Sequence, residues 1–297
     1  KITLAGRPIM LTSNYIGRFA PSPTGPLHLG SLVAAVASFL DAKKNEGTWL
    51  LRIEDLDPPR ESDSAPGTIV EQLIAHNLHW DGDILYQSSR LDAYSEALDN
   101  LQRLSLIYPC DCARKKLPAV YPGNCRNKSS EKVLRPYALR LLLDTPVISL
   151  VDDILGPQRW QIDREMGDFI IKRKDGLFSY QLAVVVDDAF QHVTHIVRGA
   201  DLLDSTPRQV HLMEKLNLPI PNYLHFPVVL GASGDKLSKQ THATPVSNQN
   251  ALDNLKQALR LLGQQVPDSV DTVTLLEEAI ANWNRNLIPK QLSVPLM

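Results

Sequence analysis

An α/β fold with a parallel sheet, a mid-chain insertion and a helical C-terminal segment is predicted by three features of the sequence. Short apolar runs alternate with helical periodicities through the N-terminal part. The alternation breaks at a proline- and cysteine-rich stretch and later resumes. The chain then finishes on amphipathic helical patterns. Alternation of strand and helix is the pattern that places helices on both faces of a parallel sheet.

Tyr15 to Phe19 reads as a short first strand, after a leader over 1–13 expected to be poorly ordered. Leu32, Val33, Val36, Phe39 and Leu40 recur at helical spacing. They predict a helix over Ser31 to Lys44, stopped at Gly47. Thr48 to Ile53 is the next strand. A helix follows over Pro66 to Asn77, because Pro66 suits a first-turn position and Ile69, Leu73 and Ile74 share one face. Another helix is predicted from about Arg90 to Leu104. Residues 14–108 thus form the first half of the sheet domain.

Residues 109–178 turn to proline, charge and short strands, at Tyr137–Leu143, Trp160–Asp163 and Phe169–Lys172, and read as an insertion. The apolar run Tyr180 to Asp188 reads as the strand on which the parallel pattern resumes. His195–Arg198 is another buried strand and Thr206–Leu216 its following helix, so 179–240 completes the domain. Over 241–297, Leu252, Leu255, Leu259 and Leu262 line one helical face. Thr274-x-x-Glu277 reads as a capping box opening a last helix through Trp283.

The bulk numbers exclude several classes. With 297 residues and 43% hydrophobic content the chain can bury a large core. Mean hydropathy is −0.15, and no apolar run approaches the ~20 residues of a membrane span. Lys1 to Thr12 hold no convincing signal-peptide core, which predicts a cytoplasmic protein without a membrane partner. A net charge of −2 argues against indiscriminate nucleic-acid binding but leaves room for a local basic strip. Arg114-Lys115-Lys116, Arg126 with Lys128, and Lys172-Arg173-Lys174 are the candidate strips.

Two segments carry the chemistry. Arg18-Phe19-Ala20-Pro21-Ser22-Pro23-Thr24-Gly25-Pro26-Leu27-His28-Leu29-Gly30-Ser31 is a Pro/Gly-rich turn running into a helix. Such a turn lets backbone approach a nucleotide, and the helix N-terminus favours negative charge. His28 is placed to act as a donor beside a triphosphate. Lys236-Leu237-Ser238-Lys239-Gln240 is a loop whose Lys236 and Lys239 can neutralise a leaving pyrophosphate. A third feature is Cys110, Cys112 and Cys125, all of the chain's cysteines. An odd number in this setting points away from disulfides and towards a thiolate metal site. Zinc suits such ligands but wants a fourth; Tyr121 and Asp111 are the nearby oxygen donors.

The first segment resembles the HIGH signature of class I aminoacyl-tRNA synthetases in its glutamyl form, and the second their KMSKS signature. Three further segments are similar to the glutamyl branch: Arg52-Ile53-Glu54-Asp55-Leu56-Asp57, Tyr180 to Asp188, and Ile196-Val197-Arg198-Gly199-Ala200-Asp201. The sequence departs from the pattern at Ser31, Gln181 and Gln240. The resemblance implies a Rossmann-type catalytic domain carrying a zinc-containing insertion and a small C-terminal helical subdomain. Only 57 residues follow Gln240, too few for the anticodon-binding region of a full glutamyl enzyme. The chain therefore resembles the truncated paralogue family that places glutamate on queuosine in the anticodon of tRNA(Asp).

That resemblance implies ATP, L-glutamate and queuosine-bearing tRNA(Asp) as partners of a monomer. It assigns glutamate binding to Arg18, Phe19, Ala20, Pro21, Ser22, Glu54, Tyr180 and Arg198, and ATP binding to His28, Gly30 and Lys239. His28, Lys236 and Lys239 become the catalytic set. It also implies one structural zinc on Cys110, Cys112, Tyr121 and Cys125. Glu54 can take the substrate ammonium, and Arg18 or Arg198 a carboxylate in a bidentate fork. Magnesium would arrive with ATP. The pairs Asp55/Asp57 and Asp187/Asp188 read as ribose, tRNA or strand-end contacts. The alternatives are a short glutamyl-tRNA synthetase charging a 3′ end and an idle zinc-containing RNA-binding module.

Overall fold

The computed structural model describes residues 15–128, 130–231, 234 and 244–296. In chain order the elements are β1 (Ile16–Phe19), α1 (Leu29–Lys44), β2 (Thr48–Ile53), α2 (Ala65–Ala75), β3 (Leu85–Tyr86), α3 (Leu91–Arg103) and β4 (Ile107–Cys110). Then follow β5 (Ala138–Leu141), β6 (Ile148–Asp152), β7 (Gly156–Trp160), α4 (Ile162–Glu165), β8 (Phe169–Lys172), α5 (Tyr180–Phe190) and β9 (His195–Gly199). The last are α6 (Thr206–Leu216), β10 (Asn222–Phe226), β11 (Val228–Leu230), α7 (Ala251–Leu261), α8 (Thr272–Asn282) and β12 (Ser293–Pro295). No helix among the described residues is long and apolar enough to cross a membrane. The chain divides into two compact units, Lys1–Tyr86 with Val193–Asp201 and Pro221–Met297, and Gln87–His192 with Leu202–Ile220.

The first unit holds the predicted parallel sheet. β1 pairs in parallel with β2, β2 with β3, and β9 with β10. Thr194, just before β9, donates its N–H to Ile16 O (2.9 Å) and accepts the Ile16 N–H on its hydroxyl (2.8 Å), so β9 begins beside β1. β1 and β2 are buried at every position, as both-face coverage requires. Trp49 is fully buried against Phe19 and Phe39, and its indole N–H is satisfied by Ser38 Oγ at 3.0 Å.

Asp41 of α1, completely buried, ties the C-terminal helical segment to this core. It accepts from Trp283 Nε1 (2.9 Å), Arg285 Nε (2.6 Å) and Arg285 Nη2 (2.8 Å), and from the Tyr15 hydroxyl. Burial and the Asp41 carboxylate push the Tyr15 phenol far up, which keeps it a donor.

The second unit contains the antiparallel sheet β4-β5-β8, the β6–β7 hairpin, and helices α3, α5 and α6. Here three expectations are corrected. Tyr180 to Asp188 is the helix α5 and not a strand. Ser179 caps it, accepting the Leu182 N–H. Leu182 to Val185, Asp187 and Asp188 are all buried, and a helix covered on most sides shows no polar stripe to betray its period. Asp187 is a buried hub, accepting from Gln87 (3.0 Å), Arg90 (3.1 Å) and Tyr94 (2.6 Å), so it supports the unit's packing and is no strand-end contact. Trp160–Asp163 is the end of β7 followed by the turn of α4. In the first unit, the last helix is capped by Asp271, whose side chain accepts from Thr274 N, and not by Thr274. Asp one turn upstream competes for the same role and is as good a cap.

Candidate active site and metal knuckle

The adenylation segment is positioned by the start of α1. His28 is its N-cap: Nδ1 accepts the Ser31 N–H (3.2 Å), while the Ser31 hydroxyl accepts the His28 N–H (2.8 Å). The serine that departs from the HIGH pattern thus completes a capping box. With Nδ1 accepting, a neutral His28 carries its proton on Nε2 and presents a donor there. The first turn of α1 holds no acidic side chain, so its end keeps the positive potential that suits phosphate. Gly30 lies in that turn.

Lys236 and Lys239 lie outside the described residues. The chain on the far side of their loop returns to the His28 turn. Pro245 bridges to His28, and Val246 N donates to Leu27 O at 2.9 Å. Gln72 of α2, 3% exposed, fastens both strands of this contact. Its carbonyl accepts from Leu27 N (2.6 Å), and its amide donates to Leu27 O (3.3 Å) and Val246 O (3.0 Å). Sequence reasoning missed Gln72. A glutamine on the apolar face of a predicted helix was the available signal, since a buried amide needs partners.

Four of the residues expected to bind glutamate lie at the carboxyl ends of the parallel strands, where ligands of open α/β sheets bind. Arg18 and Phe19 end β1, Glu54 follows β2, and Arg198 is the penultimate residue of β9. All four are buried. Glu54 N donates to Pro21 O (3.0 Å), which locks the Ala20–Ser22 turn to the end of β2. The Glu54 carboxylate is 3.3 Å from Arg52 Nη2, a guanidinium with no exposed surface. Tyr180 belongs to the second unit, as the first residue of α5, with its ring partly exposed. Asp57 pairs with Arg60 on the surface.

In the second unit the three sulfurs of Cys110, Cys112 and Cys125 lie within 4.8 Å of one another. The Tyr121 oxygen is 3.5 Å from Cys110 Sγ and 3.9 Å from Cys112 Sγ, and it accepts the Cys125 N–H at 2.8 Å. Asp111 also approaches Cys125 (3.5 Å), but its other oxygen is engaged by Lys128 Nζ (2.6 Å) and Leu134 N (2.9 Å). These bonds hold the Asp111 carboxyl well below its usual range. Burial opposes ionisation of Cys110, yet hydrogen bonds from Tyr121 and Arg140 draw its thiol down to about 7. Burial and the neighbouring sulfurs raise Cys112 to about 11. The Arg140 guanidinium stacks 3.7 Å from the Tyr121 ring and donates to Asp168 O, while Asp168 accepts from Arg126 and Tyr108. Three thiol donors with a phenol oxygen at hand fit the chemistry of zinc, which takes four ligands of this kind.

A helix-capped Pro/Gly turn at the edge of a parallel sheet, joined to the exit of a lysine loop, defines a nucleotide-using enzyme of the class I synthetase type. The family model for class I tRNA synthetases (E and Q), catalytic domain, matches residues 16–287. The chain is 48% identical over 290 residues to a glutamyl-Q tRNA(Asp) synthetase from Pseudomonas fluorescens, covering 96% of this chain and 97% of that protein. A protein of the same name from Thiobacillus denitrificans is 49% identical over 287 residues, 92% of this chain and 95% of the relative. The fold is shared with a glutamate tRNA ligase from Elizabethkingia meningosepticum, solved in complex with its amino acid. The TM-score is 0.80 at 23% identity, over 96% of this chain and 67% of that one. The chain belongs to the class I tRNA synthetases, within the glutamyl-Q tRNA(Asp) synthetase family.

Proposed function

We propose that the chain activates L-glutamate with ATP and transfers the glutamyl group to queuosine in the anticodon of tRNA(Asp). A glutamate carboxylate oxygen attacks the α-phosphorus of ATP, and the bond to pyrophosphate breaks. A hydroxyl of the queuosine ring then attacks the carbonyl of the glutamyl-adenylate, and AMP leaves. No enzyme nucleophile is needed. The observation that carries the adenylation reading is the stitch between His28 and Pro245, because it joins the helix-capping turn to the exit of the lysine loop.

In this reading His28, Gly30 and Lys239 bind ATP, and Lys236 and Lys239 neutralise the leaving pyrophosphate. Magnesium comes with the nucleotide. Arg18, Phe19, Ala20, Pro21, Ser22, Glu54, Tyr180 and Arg198 bind glutamate, with Glu54 facing the ammonium. A buried arginine left without its carboxylate is costly, so glutamine is rejected more firmly than a one-methylene difference would achieve. One structural zinc sits on Cys110, Cys112, Cys125 and Tyr121. Basic residues crowd this knuckle: Arg114, Lys115, Lys116 and Arg126 are exposed, and Lys128 and Lys174 both bind Asp111. They supply a local strip for tRNA phosphates on a chain of net charge −2. The protein works as a cytoplasmic monomer.

The test is glutamate transfer to total tRNA prepared from strains with and without queuosine. Labelling confined to queuosine-bearing tRNA is expected. Labelling that persists without queuosine would assign the chain to charging a tRNA 3′ end.

A further inference from the structure

Arg198 is held from two sides by residues of the adjacent strand. The β9–β10 register places Arg198 directly beside His225. Arg198 Nε donates to His225 Nε2 at 3.0 Å, with the two side chains 4% and 0% exposed. Tyr223, two residues earlier and so on the same face of β10, lies under the guanidinium at 5.3 Å. The Tyr223 and His225 rings stack with their planes within 4° of parallel, their centroids 5.9 Å apart. His225 thus meets Arg198 at Nε while Tyr223 lies beneath its guanidinium.

We infer that His225 is a positioning residue that sets the orientation of Arg198 for glutamate. This rests on the reading of Arg198 as a carboxylate-binding residue. A guanidinium can grip a carboxylate along its Nε edge or with its two terminal nitrogens, and the two modes present the ligand differently. Donation of Nε to His225 removes the first mode. The carboxylate must then be met by the terminal nitrogens, with the Tyr223 ring beneath the guanidinium. To accept at Nε2 the imidazole must be neutral with its proton on Nδ1, since an imidazolium has no acceptor. Selectivity for glutamate over glutamine therefore depends on a residue that need not touch either amino acid. Holding a fork in its bound orientation before the ligand arrives reduces the ordering cost of binding.

The experiment is ATP–pyrophosphate exchange with tRNA present, on His225→Gln, His225→Asn and His225→Leu, with Arg198→Ala in parallel. A glutamine amide reaches about as far from the backbone as Nε2 and restores an acceptor; an asparagine amide stops one methylene short. His225→Gln is expected to keep the glutamate KM within about threefold. His225→Asn and His225→Leu should raise it about tenfold or more, with the ATP KM unchanged and discrimination against glutamine reduced. Thermal midpoints identify any variant that loses the fold, and the Gln–Asn pair, alike in polarity, carries the comparison. Equal glutamate KM values for His225→Gln and His225→Asn would overturn the inference while leaving the role of Arg198 intact. An unchanged KM in Arg198→Ala would overturn both.

Discussion

Replacing Asp41 with asparagine tests whether one buried carboxylate holds the C-terminal segment on α1. The side chain keeps its volume and one acceptor oxygen but loses its charge. Trp283 Nε1 and Arg285 Nε both reach Oδ1 (2.9 and 2.6 Å), so those bonds can survive on the asparagine carbonyl. Oδ2, which accepts from Arg285 Nη2 (2.8 Å) and the Tyr15 hydroxyl, becomes an amide donor facing two donors. Removing one member of a buried ion pair costs ~3–5 kcal/mol. Arg285 is 30% exposed and can recruit water, which places the cost near the lower limit, about 3 kcal/mol. At ~2–4 °C per kcal/mol for a chain approaching this size, the thermal midpoint should fall by roughly 6–12 °C. Arg285→Met alone and combined with Asp41→Asn completes a double-mutant cycle, with an expected coupling of ~1–3 kcal/mol. A midpoint loss under about 2 °C, or strict additivity in the cycle, would refute the clamp, since contacting charges must couple.

Three other outcomes follow from the structure. Glutamate-dependent ATP–pyrophosphate exchange should proceed without tRNA, because Arg18, His28, Gly30, Glu54 and Arg198 all lie in the first unit; an absolute tRNA requirement would count against this. Metal analysis should find one zinc per chain, and cobalt substitution should give the absorption of a tetrahedral tris-thiolate site. Cys112→Ser should lose the metal and weaken tRNA use more than adenylation, and a variant that retains it fully sinks the assignment. His211 is buried with Nε2 on Leu142 O (3.1 Å), and burial lowers its pKa. The unfolded chain, with a histidine near ~6.5, then binds more protons in acid. This contribution to stability is present above that value and is lost as pH falls below it. The denaturation midpoint should drop between pH 7.5 and 5.5, less so in His211→Gln, whose amide can still donate to Leu142; equal slopes would remove His211 as the cause.

The parallel half of the fold was legible because its signals are local. Leu32, Val33, Val36 and Leu40 print a helical period, and Thr48–Ile53, predicted as a strand, is a strand buried throughout. The misread segment, Tyr180 to Asp188, failed for a related reason: burial on most sides erases the period that separates helix from strand. β10 escaped notice because its core faces include His225 and Tyr223, polar types whose burial depends on partners that the sequence does not display. The cysteine spacing predicted the sulfur cluster, since thiolates so close in sequence need only one turn to meet. Spacing alone left Tyr121 and Asp111 both open as the oxygen donor, and it could not show that Asp111 is engaged by a lysine 17 positions away. Gln72 signalled only that it needs partners; which ones was out of reach, because Val246 is 174 residues distant.

The way the chain closes on itself bears on how this protein could be divided. β12 pairs with β11, and Trp283 and Arg285 grip the helix that His28 caps. A cut ahead of α7 would remove the partner strand of β11 and the clamp on α1 together. The C-terminal segment is therefore no detachable appendage, and a minimal adenylating fragment cannot be obtained by trimming it away.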